Sequence, residues 1–270
     1  MSVIYGNPIT LGGGGDIKIS RVLDENSWYA IKLVSLLGKG ANYWAVGDCK
    51  QITMNGKVSD GLTLTNYTAW VYIIGFNHNA EREGNSIAFQ GFKTAQTDGT
   101  DICLVDSGYN SNQTSGTWFN MNNSNTNAGG WSSSNMRSAV MPLIKAAFPA
   151  DLQAVIKQST IYTDNTGGGT ADVVPTATQD EVFLLAEYEV FGSRVSASSQ
   201  EPNYLKQYAY YSAGNSKLKY MHNDTSTTAY WRERSPYSGN TSIFCYVDTS
   251  GDANRRNANR SSGVSPAFKV

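Results

Sequence analysis

An α+β domain of short antiparallel strands, two helices and long ordered loops is what the sequence predicts, on three observations. Short β-branched and aromatic runs separated by Asn-Gly, Asp-Gly and Gly-rich steps fill residues 43–92, the pattern of antiparallel hairpins. The stretch WSSSNMRSAVMPLIKAAFPADLQAVIKQ, from Trp131, reads as two consecutive helices. Segments rich in Asn, Ser and Gly at 107–130 and 196–228 sit between patterned elements, which marks them as ordered loops of a domain and not as linkers.

The elements follow in order. Residues 1–25 form a lead-in, with YGNPIT followed by the GGGG of a flexible joint, and residues 26–270 form the domain proper. SWYAIKLVSLLGKG carries Trp28, Ile31, Leu33, Val34 and Leu37 at near-helical spacing; Asn26 or Ser27 caps that helix and Gly38 stops it. YWAVGDCKQITMNGKV, LTLTNYTAWVYIIGF and NSIAFQGF are strands. In the helical pair, Ser133 or Ser134 caps the first helix, and the second opens at Pro149 with Asp151 in its first turn. DEVFLLAEYEVFG gives an apolar strand that runs into a turn of helix ending at Gly192.

Composition bounds the function. A chain of 270 residues that is 40% hydrophobic can bury a substantial core. Its net charge of −1 supplies no electrostatic attraction for nucleic acid or an anionic membrane surface. No segment approaches the roughly 20 apolar residues that span a bilayer, and the first residues lack the pattern of a signal peptide, so no membrane insertion is expected. The 3 cysteines, Cys49, Cys103 and Cys245, are scattered and odd in number, which suits small buried hydrophobes better than a disulfide framework.

Catalytic and metal motifs are weak. FNHNAERE brings His78 near Glu81 and Glu83, but with His222 in a polar loop and no HExxH spacing, a structural turn outweighs an acid/base or metal site. DTSGDAN, from Asp248 to Asn254, lacks the ligand spacing of an EF-hand and reads as a tight hairpin turn. Glu201-Pro202-Asn203 matches the tripeptide of sugar-binding C-type lectins by chance, since the later Trp-Asn-Asp signature is missing. The sequons at Asn66, Asn112, Asn122, Asn223 and Asn240 are what an Asn- and Thr-rich chain produces by accident. No nucleophile motif, phosphate loop or dinucleotide fingerprint stands out. The sequence therefore predicts no enzyme, no cofactor and no metal.

The end of the chain is the informative part. Between YWRERSP, IFCYV and a final GVSPAF lies the polar tract DANRRNANRSS. Pro236 and Gly239 turn the chain, Phe244 and Val247 suit a core, and Val264 to Phe268 read as a terminal strand. The residues between have the adaptable polar and aromatic character of a paratope: Arg232, Tyr237, Asn240, Tyr246, Arg255, Arg256, Asn257, Asn259, Arg260 and Ser262.

The succession GGWSSSNMR, DEVFLLAEYEVFG, YWRERSP, IFCYVDTSG and GVSPAF resembles the C-type-lectin-fold proteins of bacteria and phage tail tips, many of them variable proteins of diversity-generating retroelements. The resemblance covers roughly residues 40–270 and is most specific from Trp131 onward. WRERSP carries one residue more than the WLRSP form common there, and Ser265 stands where many relatives have Arg. What the resemblance implies is a C-type-lectin-like domain whose variable region, 230–270, displays a ligand-binding face on a rigid scaffold. In diversified members, adenines of a template copy are replaced during reverse transcription, so AAC codons for Asn give other residues. Ile243, Tyr246, Asp248, Asp252, Arg255, Arg256, Arg260 and Ser262 are each reachable from AAC that way, and Asn254, Asn257 and Asn259 fit unchanged template. Ile243 and Asp248 thereby join the candidate contacts.

The expected function is binding of a host-surface protein or glycan by a phage or prophage protein, in the virion tail or as a soluble bacterial product. A homotrimer is the assembly that analogy with tail structures suggests. A structural tail or baseplate component with a fixed surface is the second reading. An enzyme of the formylglycine-generating fold class, which shares the lectin-like fold but whose catalytic cysteine arrangement is not recognisable here, comes last.

Overall fold

A computed structural model describes residues 6, 9–11 and 15–270. The other residues of the lead-in, half of YGNPIT and most of GGGG among them, lie outside the described residues. A short hairpin of β1 (Ile9–Leu11) and β2 (Gly15–Ile17) leads in. The chain joins the domain before residue 26: Ile19 and Leu23 are buried in the core, and Lys50 donates to the carbonyls of Asp24 and Asn26.

Helix α1 (Trp28–Leu36) is capped by Ser27, whose hydroxyl accepts from the Ala30 amide at 3.2 Å, and Gly38 follows it at φ 69°. A turn, α2 (Gly40–Tyr43), precedes β3 (Cys49–Ser59), β4 (Leu62–Phe76), the turn α3 (Ala80–Glu83), β5 (Ile87–Lys93) and β6 (Ile102–Cys103). Asp60-Gly61 turns the β3–β4 hairpin. Asn55-Gly56 does not turn the chain: it lies inside β3, where the register shifts and Gly56 takes φ 123°, as a bulge requires.

The segment from Trp131 is helical as expected, but in three pieces. A π-helical turn (Met136–Val140) runs into α4 (Met141–Ala147), and Pro149 starts α5 (Ala150–Gln153). The Ser134 hydroxyl accepts from the Arg137 amide at the first of these. Strands β7 (Ser159–Thr163) and β8 (Thr176–Asp180) pair as a separate ribbon, β9 (Val182–Phe183) follows, and α6 (Glu187–Phe191) ends at Gly192, φ 65°.

Segment 196–228 carries more regular structure than its composition predicts: α7 (Glu201–Tyr204), α8 (Ala209–Ser212), β10 (Lys219–Met221) and part of β11 (Asp224–Ala229). Segment 107–130, by contrast, is an ordered loop without helix or strand, its Asn120 and Asn127 fully buried. The chain closes with β12 (Trp231–Pro236), β13 (Ile243–Val247), β14 (Ala253–Asn257) and β15 (Ala267–Lys269).

Mostly antiparallel strands thus mix with short helices, and two sheets set the architecture. The larger has order β3-β4-β5-β15-β9, so the last strand of the chain lies between β5 and β9. That position explains why the chain continues past its polar tract: Phe268, fully buried, stacks on Phe89 and packs edge-on to Trp28. The smaller sheet, β12-β13-β14, carries the tract itself. Among the described residues, no helix is long and apolar enough to cross a membrane.

Candidate functional site

The β13–β14 hairpin is built around Asp248. Its Oδ1 accepts from the amides of Ser250 (2.9 Å) and Asp252 (3.0 Å), and Gly251 takes φ 86°. Those amide contacts outweigh burial, which acts the other way, and hold the Asp248 carboxyl below its ordinary range. DTSGDAN is therefore a hairpin turn, with the acidic group spent on backbone donors.

Register sorts the side chains. Tyr246 faces Asn254 and Phe244 faces Arg256, while Cys245 pairs with Arg255 and Ile243 with Asn257. Because directly opposed residues share a side of the sheet, Asn254 and Arg256 lie on one side of β14, and Arg255 and Asn257 on the other. On the first side the Arg256 guanidinium sits 4.0 Å from the Tyr230 ring centre and 5.9 Å from that of Tyr246. Tyr230 stacks on Tyr109 at 4.6 Å, and the Tyr109 hydroxyl accepts from the Tyr230 amide. On the second side Arg255 lies 4.9 Å from the Tyr237 ring. β14 is the edge of its sheet, and its arginines also oppose edge-to-edge pairing with another chain.

Asn110, held at φ 63°, is the polar centre of the patch. Its Oδ1 accepts from Arg260 Nε (3.1 Å) and Nη2 (2.8 Å) and from Arg256 Nη2. Burial raises the Tyr109 hydroxyl far above its ordinary pKa, as does nearby Tyr230; burial also raises Tyr230, against the pull of Arg256. Both phenols are thereby kept in their neutral form beside a cationic surface.

Of the residues predicted as contacts, Asn240, Arg255 and Asn257 are exposed, and Tyr237, Ile243, Asp248, Arg256, Asn259 and Arg260 are partly so. Three are corrected. Arg232 is fully buried and crosses beneath the hairpin to donate to the carbonyls of Asn257 and Arg260, both at 2.6 Å, and of Arg256 at 3.3 Å. It is a strut, because a guanidinium with several donors satisfies carbonyls that the edge strand leaves without a ladder partner. Ser262 is fully buried, its amide donating to the Phe119 carbonyl. Tyr246 is 8% exposed, enclosed by Tyr230 and Arg256.

The face rests on loop 107–130, whose contribution the sequence did not reveal. Asn127, fully buried, donates through Nδ2 to the carbonyls of Asn240 (2.7 Å), Ile243 (3.0 Å) and Tyr237 (3.3 Å). Asp106 accepts from the Ser261 hydroxyl and the Phe119 amide, both at 2.7 Å. Backbone bonds from Gln113 to Asn259 and from Asn122 to Ala258 complete the clamp. Tyr109, Asn110 and Tyr230 also belong to the patch; the only trace they leave in the sequence is an aromatic residue beside a polar loop or strand.

The other candidates are structural. His78 is 9% exposed and stacks on Tyr208 at 3.8 Å; burial above all depresses its pKa to about 4. Glu83 is engaged by Lys269, and Glu81 by Lys206 at 2.8 Å. Glu201 of the EPN tripeptide points inward, accepting from the Ser235 hydroxyl at 2.5 Å, so it presents no oxygens to a sugar. All three cysteines are buried and free.

Residues 104–270, more than half of the chain, match the family model described as Domain of unknown function (DUF6273), and the chain belongs to that family. No curated protein and no solved structure matches it.

Proposed function

We propose that this member of the DUF6273 family is a ligand-binding protein of a phage or prophage, whose C-type-lectin-like scaffold displays a diversified surface for host adhesion. The ligand is a host-surface protein or glycan. One observation carries the reading: Arg255, Arg256, Asn257, Asn259 and Arg260 reach solvent from an edge hairpin and its following turn, while the backbone beneath them is fixed by Arg232 and by the amides of Gln113 and Asn122, and the adjoining segments by Asn127 and Asp106. Side chains of that kind can change without disturbing the frame, which is what a display surface requires. Arg and Tyr on such a surface suit stacking and forked hydrogen bonding to peptide or sugar.

The test lies in the DNA around the gene. The expected finding is a near-copy of codons 230–270 with adenines at the codons for Arg255, Arg256 and Arg260, beside a reverse-transcriptase gene. An identical 230–270 segment in every sister genome, with no such copy, would overturn diversification and leave a fixed-surface tail component.

A further inference from the structure

Beneath the display hairpin lies a buried acidic cluster with an unmatched charge balance. Glu187, which opens α6, Glu189, Glu201 and Glu233 of β12 are all enclosed, at most 2% exposed. Arg234, also buried, is the guanidinium among them, and it is committed to Glu189 through bonds of 2.6 and 3.0 Å. Glu201 has Ser235 and the Tyr188 amide, and Glu187 accepts from the amides of Val195, Ser196 and Ala197 at 2.9–3.0 Å.

Glu233 has neither. Both of its carboxylate oxygens are buried without a hydrogen-bond partner, a costly state for a carboxylate. It sits where the β12–β13 register shifts, between Arg232 and Pro236. Its carboxylate lies beside Glu187 and Cys245, and the ligand atoms of the three residues lie within 4.8 Å of one another. Donors around a tetrahedral ion with metal–ligand bonds of about 2.0–2.3 Å stand roughly 3.3–3.8 Å apart, so closure by about 1 Å brings the three onto one ion.

We propose that Glu187, Glu233 and Cys245 hold a structural zinc ion, or a divalent ion of the same borderline-soft class. The thiol selects against Ca²⁺ and Mg²⁺, which take oxygen ligands alone, and in favour of zinc. Glu233, with both oxygens free, can bind through both, so that three side chains supply four donor atoms. Binding releases the thiol proton of Cys245 and any carboxyl proton to solvent, leaving two carboxylates and a thiolate around a dication. With every ligand fully buried, the ion enters as the chain folds. This inference is independent of the proposed ligand-binding role.

The test uses the full chain, unfolded in chelator and refolded with zinc, with cobalt or with no divalent metal. The expected result is one zinc per chain after exhaustive dialysis, a higher melting temperature than that of the metal-free sample, and a near-ultraviolet thiolate-to-cobalt band in the cobalt form. Cys245→Ser should abolish that band and Glu233→Gln should lower metal retention at least tenfold. Should either variant fail to fold, the wild-type cobalt spectrum still decides. Wild-type protein that refolds to the same melting temperature without metal and shows no cobalt band would overturn the assignment, leaving protons to neutralise the cluster; so would undiminished zinc in folded Cys245→Ser.

Discussion

Arg232 and Arg234, two residues apart, show how little a side chain's type says about its role. Both look like surface arginines in YWRERSP, and both are buried: one under the hairpin and one against Glu189. Residue type could not separate them from Arg255 and Arg256, because what distinguishes them is the carbonyls and carboxylate that distant segments supply. Arg234→Met leaves Glu189 as a buried unpaired charge and should cost about 3–5 kcal/mol in urea unfolding, whereas Arg255→Ser should cost under about 1 kcal/mol; equal losses would place Arg255 in the frame. Burial depresses both His78 and His222 to about 4, and His222 Nδ1 accepts from the Val105 amide at 3.1 Å, which protonation forbids. Their ordinary value is 6.5, so the unfolded chain takes up protons first. The stability they contribute is complete above pH 6.5 and is lost as pH falls toward 4. For His78 the loss is on the order of 3 kcal/mol. The melting temperature of His78→Phe should accordingly fall less steeply over that interval than that of the wild type; parallel profiles would contradict this.

At the scale of elements, local signals were the most legible. The Ser27 cap, the Gly38 and Gly192 stops and the Asp248 turn were all readable, since each depends on a few adjacent residues. Asn55-Gly56 misled because a bulge and a hairpin turn use the same dipeptide, and only the partner strand distinguishes them. Regular structure in 196–228 was hidden because α7, α8 and β10 are short and held by tertiary contacts, as in the stacking of Tyr208 on His78. The hairpin that carries the candidate face depends on Gly251: at φ 86° any Cβ is strained, and one placed there would meet the Leu218 amide nitrogen at 3.2 Å. Gly251→Ala should cost about 1–2 kcal/mol in thermal or urea unfolding, and an unchanged midpoint would mean that the turn relaxes freely.

Across the whole molecule, the chain is laid out so that a strongly polar segment is framed by distant parts of the fold. The tract from Asp252 to Ser262 leaves through β14, is clamped by loop 107–130, and returns through β15 into the middle of the larger sheet. The candidate face was legible as composition, since polar diversity between turn and strand signals is visible in the sequence. Its frame was not, because Asp106, Asn110 and Asn127 act from more than a hundred residues away, and the metal ligands proposed here come from three separate elements with no local spacing. On this layout the exposed face and the scaffold beneath it are separable. A saturation-mutagenesis scan for protease resistance tests it most directly, comparing Tyr237, Asn240, Arg255, Arg256, Asn257, Asn259 and Arg260 with Arg232, Arg234, Asp106 and Asn127. Most substitutions in the first set should shift unfolding by less than about 1 kcal/mol, while most in the second should abolish resistance; losses of the same size in both sets would mean that the face and its frame are not separable.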